Sequence, residues 1–302
     1  MLSLIFGAGA SYGSEVKGIP TPPLGDYLFE ELEKLNGAYS KLPEEVKNKF
    51  RINGFEQGML GIPNDSSVIN PLQKELAIYL SKFQSTEKSS YVKLFRMLGC
   101  LLKNINIITL NYDLLIEQSL FMVGAKSVSY GLNQGEVSLL KVHGSSNFIP
   151  DLSGSTFEGV TAINCGSFIE CANVKALNSH KEIFEWCSST NNSLLSPIMC
   201  LYNQHKNGVI NNSLLSAFKR QYKYAITGSK LIVIVGVKYV PHDHHIWDDI
   251  LDTNARLIIV DPKPDKQLID KLAQKKINVE IINKPFNDCV ARLSGMIRTG
   301  SR

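Results

Sequence analysis

Polar side chains capable of chemistry stand where short apolar runs end. After "NIIT" the chain continues Leu110-Asn111-Tyr112-Asp113, so Thr109, Asn111 and Asp113 occupy alternate positions. Alternate residues of an extended segment share a side, which turns Asn111 and Asp113 the same way. His143 follows directly on "SLLKV", Lys238 on "IVGV", and Asp261 on "LIIV". An amide and a carboxylate can orient hydroxyl groups, and an imidazole can take a proton near neutral pH. Each residue also has a plain reading. Asn and Asp cap helices, and a single histidine is more often a satisfied structural residue. Four such groups at four separate run ends favour a site.

The string His242-Asp243-His244-His245 invites a metal reading. Neighbouring side chains point apart, and no thiol or carboxylate pattern elsewhere completes a ligand set. No metal is expected there, and the string reads as a loop that lines or closes the site. Tyr239 and Trp247 beside it read as packing residues.

The runs themselves predict six buried parallel strands: Leu2–Phe6, Ile105–Leu110, Ser138–Val142, Leu231–Val235, Arg256–Val260 and Val279–Ile282. They are short, rich in β-branched residues, and closed by Gly, Asn, Asp or Pro. Helical patterns such as "PLGDYLFEELEKL", "DLLIEQSLFMV" and "DCVARLSGMI" lie between them. The alternation predicts an α/β fold, a Rossmann-like parallel sheet of about six strands with helices on both faces. Residues 31–100 and 151–215 supply no obvious sheet strand and are expected to form a smaller helical insertion domain. The sheet domain is then built from residues 1–30, 101–150 and 216–302. In such sheets ligands bind at the carboxyl ends of the strands, where the polar residues gather. The tail "RTGSR" is expected to be disordered.

Composition narrows the function classes. The chain has 302 residues, 44% apolar, with 32 basic and 28 acidic residues and a net charge of +4. That balance leaves no basic footprint for direct nucleic-acid binding. No run approaches the roughly 18 apolar residues of a membrane span, and no leader is evident, so a cytoplasmic location is expected. Cysteines at 100, 165, 171, 187, 200 and 289 form no Cys-x-x-Cys pair and read as buried, reduced thiols.

The stretch "IFGAGASYGS" poses a sharper question. A dehydrogenase fingerprint needs a third glycine where Tyr12 stands, and an acidic residue about 20 positions on. The chain instead runs "GIPTPP", which disfavours hydride transfer. No Gly-Lys-Ser/Thr follows, which excludes a Walker loop. Gly9-Ala10-Ser11-Tyr12-Gly13 does match a serine-hydrolase elbow, and Ser11, Asp113 and His143 fall in triad order. That elbow ordinarily follows a strand deep in the sheet, whereas Ser11 follows the first.

Taken in order, "GAGAS", "GIP", "NYD", "HGSSNF", "VGVKY" and "VDP" resemble the motifs of the sirtuin family, and most closely its bacterial NAD-hydrolysing effectors of anti-phage defence. The resemblance implies NAD as substrate, held across the sheet. Gly7, Ala8, Gly9 and Ser11 would face the pyrophosphate, Gly236 and Asp261 the adenosine half, and Asp113 the nicotinamide end. Asn111 and His143 match the family's catalytic asparagine and histidine. The zinc module of sirtuin deacylases is missing, so no zinc and no deacylation are expected. Lys238 stands where a phosphate-contacting serine would be, either replacing it or pointing to solvent. The resemblance further implies a gated NADase activated by self-assembly into a homo-oligomer or by a separately encoded partner, such as a HerA-like ATPase or a nucleotide-binding, pyrophosphatase-like subunit. Residues 151–215 are the expected docking surface. Two other readings remain open: a non-catalytic NAD or ADP-ribose sensor, and a hydrolase using Ser11.

Overall fold

A computed structural model describes residues 1–63, 65–132, 137–151, 171, 173–200 and 210–300. Its strands are β1 (Leu2–Phe6), β2 (Ile105–Thr109), β3 (Val128–Tyr130), β4 (Val137–Lys141), β5 (Phe148–Asp151), β6 (Asn173–Ala176), β7 (Leu231–Val235), β8 (Arg256–Val260) and β9 (Val279–Ile282). Its helices are α1 (Ala8–Tyr12), α2 (Gly25–Glu33), α3 (Glu44–Leu60), α4 (Ser66–Ser81), α5 (Ser90–Leu98), α6 (Leu115–Met122), α7 (His180–Ser188), α8 (Asn212–Thr227), α9 (His244–Leu251), α10 (Lys266–Gln274) and α11 (Val290–Gly300).

Seven strands form one parallel sheet in the order β3-β4-β2-β1-β7-β8-β9. All five residues of β1 and of β7 are buried, which is why β7 reads as an unbroken apolar run and β1 as one broken only by Ser3. From β1 the chain builds outward through β2 to β4, then returns to the other side of β1 as β7, β8 and β9. The direction of winding therefore reverses at β1, and a crevice is expected at the carboxyl ends of β1, β2 and β7.

The chain divides into two compact units. The sheet unit comprises Met1–Leu24, Phe83–Val142 and Ala217–Arg302. Its aromatic core joins Phe6 of β1 to Tyr91 and Phe95 of α5 and to Phe286, with ring centroids 5.2, 6.3 and 5.9 Å from Phe6. The other unit comprises Gly25–Lys82 and His143–Ser216. There Phe29 stacks on Phe50 at 4.4 Å, and Tyr39 and Phe55 complete the cluster. Gly58 makes room for that cluster, since a Cβ at this position would lie 2.2 Å from Phe50 Cγ.

Several expectations change. The sheet has seven strands, because the half-buried three-residue β3 pairs only with β4 and leaves no apolar run to read. The second unit is not helical throughout: β5 and β6 form an antiparallel pair. The tail is helical through Gly300, with Ile297 buried. Cys187, Cys200 and Cys289 are buried thiols, but Cys171 is only partly buried, Cys100 is exposed in the turn after α5, and Cys165 lies outside the described residues. Burial pushes the Cys187 thiol up to about 12, against the lowering effect of the Lys74 charge. Among the described residues no helix is long and apolar enough to cross a membrane.

Candidate functional site

The carboxyl ends of β1 and β7 meet backbone to backbone. Gly7 N–H donates to Val235 O at 3.0 Å, and Gly9 N–H to Gly236 O at 2.9 Å. Gly236 N–H reaches on to Val260 O at 2.9 Å. A Cβ on Gly7 would lie 2.5 Å from Gly236 O, and one on Gly236 would lie 2.3 Å from Ala10 N. Gly236 also has φ +59, a conformation that glycine adopts without steric cost. The glycines of "GAGAS" and "VGV" thus fit one another. The N–H groups of Gly7, Gly9 and Ala10 all have protein acceptors, Ala10 donating to Gly7 O at 3.0 Å.

Against this junction sits the turn after β2. Asn111 Nδ2 donates to Gly7 O at 2.9 Å and to Ser11 Oγ at 3.0 Å. A carbonyl can only accept, so the first bond decides which way the amide faces and leaves Oδ1 as Asn111's acceptor. The Asn111 N–H is held by Thr109 Oγ1 at 3.1 Å. Ser11 is fully buried (0% exposed), and its hydroxyl shares a 3.1 Å hydrogen bond with the Tyr91 hydroxyl. A serine nucleophile needs an accessible hydroxyl; this one is committed inside the unit, which removes the main support for the hydrolase elbow.

Asp113 is buried at 5% exposure, and its Oδ1 accepts the N–H of Leu115, the first residue of α6, at 3.1 Å. Burial raises its carboxyl above the usual carboxylate range. The Lys141 ammonium opposes that most strongly, followed by the Leu115 N–H and a hydrogen bond from Ser11. Tyr91 is pushed well above the ordinary tyrosine range by burial, and the Asp113 charge adds to it.

His143 begins the second unit. It is buried (7% exposed), and its carbonyl accepts the Cys200 N–H at 2.8 Å. Gly144 has φ +81, and a Cβ there would lie 2.2 Å from Ile198 O. Asn147 Nδ2 donates to Leu177 O at 2.9 Å. The "HGSSN" stretch is therefore held by contacts with the main chain of distant segments, at Leu177 and at Ile198–Cys200.

The outer residues sit at the ends of β7 and β8. Asp261 turns back on its own loop, where Oδ1 accepts the Lys263 N–H at 2.7 Å. Lys238 is exposed. Within the histidine string, His244 faces Asp248 at 3.3 Å along α9. Tyr239 and Trp247 are buried edge to face at 5.0 Å, as packing residues should be.

No protein-family model and no curated protein matches the sequence. Solved structures do. The crystal structure of a SIR2 homolog–NAD complex is similar at TM-score 0.50 and 16% identity, over 99% of this chain and 89% of that chain. A serine-to-alanine mutant of a Sir2 homologue in complex with ADP-ribose aligns at TM-score 0.51 and 15% identity, over 99% of this chain and 92% of that one. A histidine-to-asparagine mutant in complex with ADP-ribose aligns at TM-score 0.51 and 16% identity, with the same coverage. The fold is that of the Sir2 homologues.

Within this Sir2-type fold the structure adds residues that sequence reasoning missed. Tyr91 reaches Ser11 from α5. Lys141, fully buried at the end of β4, donates to Glu117 Oε1 at 2.8 Å and to the Asp113 main-chain carbonyl at 2.6 Å. A lysine inside the run "VSLLK" was the available signal, because an interior strand position seldom takes a charge unless it is paired.

Proposed function

We propose that the protein is an NAD glycohydrolase, cleaving the bond between nicotinamide and ribose. The observation that carries this reading is Asn111, whose amide nitrogen is committed to Gly7 and Ser11 at the point where the sheet reverses its winding. Held there, Asn111 offers Oδ1 to a ribose hydroxyl or to water. Two Sir2 homologues of the same fold are complexes with NAD and with ADP-ribose, which supports NAD as the substrate class.

The chemistry suits these residue types. The leaving pyridine departs as a neutral molecule from a cationic nitrogen, so departure needs little acid help. The site must orient the ribose, tolerate positive charge as an oxocarbenium-like state develops, and admit a nucleophile. Asn111 orients, the Asp113 carboxylate favours the positive charge, and His143 accepts the proton of the attacking water or of a ribose hydroxyl. The Gly7–Ser11 turn faces the pyrophosphate through exposed Ala8 and half-buried Gly9, while buried Ser11 supports the turn from behind through Asn111. Gly236 and Asp261 line the adenosine half, and exposed Lys238 replaces the serine as a phosphate contact. No metal is assigned a role. A gated effector that depletes NAD in anti-phage defence, activated by self-assembly or a separately encoded partner, is the fuller reading; the family motifs support it.

The experiment is nicotinamide release from NAD by the purified chain, alone and with the products of neighbouring genes, beside Asn111→Ala and His143→Ala. His143→Ala is expected to lower release by about 10²–10⁴-fold, and Asn111→Ala to abolish it with NAD still bound. Release that persists in both variants would overturn the assignment. NAD binding without release under every condition would make the protein a sensor.

A further inference from the structure

Beneath the turn that carries Asn111 and Asp113 lies a buried ion pair with no place in the reaction as described. The side chains of Lys141 and Glu117 are 0% and 6% exposed and 2.8 Å apart. Tyr130 donates to Glu117 Oε1 at 3.4 Å, while Glu117 Oε2 has no hydrogen-bond partner among the described residues. A buried pair with an orphaned carboxylate oxygen is a poor device for stability, because two charges are desolvated and one acceptor is left unmet. Its geometry fits another task. Lys141 spans from β4 to the main chain of the turn after β2, and its 2.6 Å bond to the Asp113 carbonyl is shorter than the 3.1 Å bonds that the Asn111 and Leu115 N–H groups make.

We propose that Lys141 is a positioning residue: its ammonium, neutralised by Glu117 from α6, clamps the Asp113 carbonyl and thereby fixes the turn that presents Asn111 and Asp113. The proposal rests on the NAD-cleaving reading for its effect on rate, though not for the clamp itself. Lys141, Glu117, Tyr91, the Ser11 hydroxyl and the Leu115 N–H act on the Asp113 carboxyl, and Lys141 lowers it more than Glu117 raises it. Removing both charges therefore leaves Asp113 harder to ionise.

The test uses the double variant Lys141→Met with Glu117→Leu, which removes both charges together and leaves no lone buried ion. Lys141→Met with Glu117→Gln keeps an acceptor for Tyr130 and serves if the apolar pair folds poorly. The first readout is amide hydrogen exchange in the absence of any substrate. Exchange at Leu115 is expected to quicken by about tenfold or more while the amides of β1 and β7 keep their protection. The second is the pH profile of nicotinamide release. The acid limb is expected to move to higher pH, with kcat down by about tenfold and KM within about threefold of the parent. A folded double variant with unchanged Leu115 exchange overturns the clamp, and so does an unmoved acid limb with unchanged kcat. If the parent protein releases no nicotinamide either alone or with the products of neighbouring genes while Leu115 exchange still responds, the NAD-cleaving reading has failed and the clamp stands.

Discussion

The chain turns sharply after β1 and again after β2, and opposite means hold the two turns. After β1, backbone holds backbone: Gly7, Gly9 and Gly236 approach so closely that a single Cβ would collide with main-chain atoms. After β2, side chains do the holding: Asn111, Ser11, Tyr91, Asp113 and Lys141 form one hydrogen-bonded and charged set. The first arrangement tolerates no substitution because main chain cannot swing aside. The second can lose a member, keep its fold and lose its aim. A site of this kind separates what must be rigid from what must be chemically specific.

The largest expected effect tests the backbone junction. Gly236→Ala would place a methyl 2.3 Å from Ala10 N at φ +59. Left-handed strain together with overpacking is expected to cost about 4 kcal/mol, read as a melting point lowered by about 10 °C. A variant melting like the parent would show that β1 and β7 can slide apart.

A smaller effect tests the side-chain set. Burial raises the Asp113 carboxyl, so the folded protein holds that proton more tightly than the unfolded chain does. Stability from this group is full below the ordinary carboxylate range and is lost as pH rises through the raised value. Asp113→Asn cannot titrate. In paired thermal melts across the acid range, the parent should therefore lose ground to the variant as pH rises and then run parallel to it. A constant difference at every pH would mean that Asp113 carries no burial penalty.

The smallest effect belongs to Tyr91→Phe. It deletes one 3.1 Å hydrogen bond to Ser11 and leaves both bonds of the Asn111 amide in place. A loss of about 1 kcal/mol in denaturant unfolding, with nicotinamide release little changed, would rank Tyr91 below Lys141 in holding the turn. A collapse of release would reverse that ranking.

Much of the sheet was legible beforehand because buried parallel strands must be apolar on both faces. β1, β7, β8 and β9 match their expected spans, and β2 and β4 differ by one residue at their ends. β3 was missed because three half-buried residues carry no such pattern, and β5 because Pro150 interrupts it. Alternation past a strand end turned Asn111 and Asp113 the same way, and in the structure both meet the Ser11 hydroxyl. Lys141 left a trace as a charge inside an apolar run, but its pairing with Glu117 did not, because the two are 24 residues apart and Glu117 alone reads as a solvated charge.

The sequence by itself determined six of the seven strands of the parallel sheet, the order of the polar residues at their ends, and the glycines at their turns. Those are local properties, set by periodicity and by backbone sterics. Only the tertiary structure decided what the glycines were for, and that Ser11 is held inside the unit with no exposed hydroxyl. It also decided which buried charge Asp113 would share. Those outcomes depend on which segments meet, and pairing between distant segments leaves no mark on either one alone.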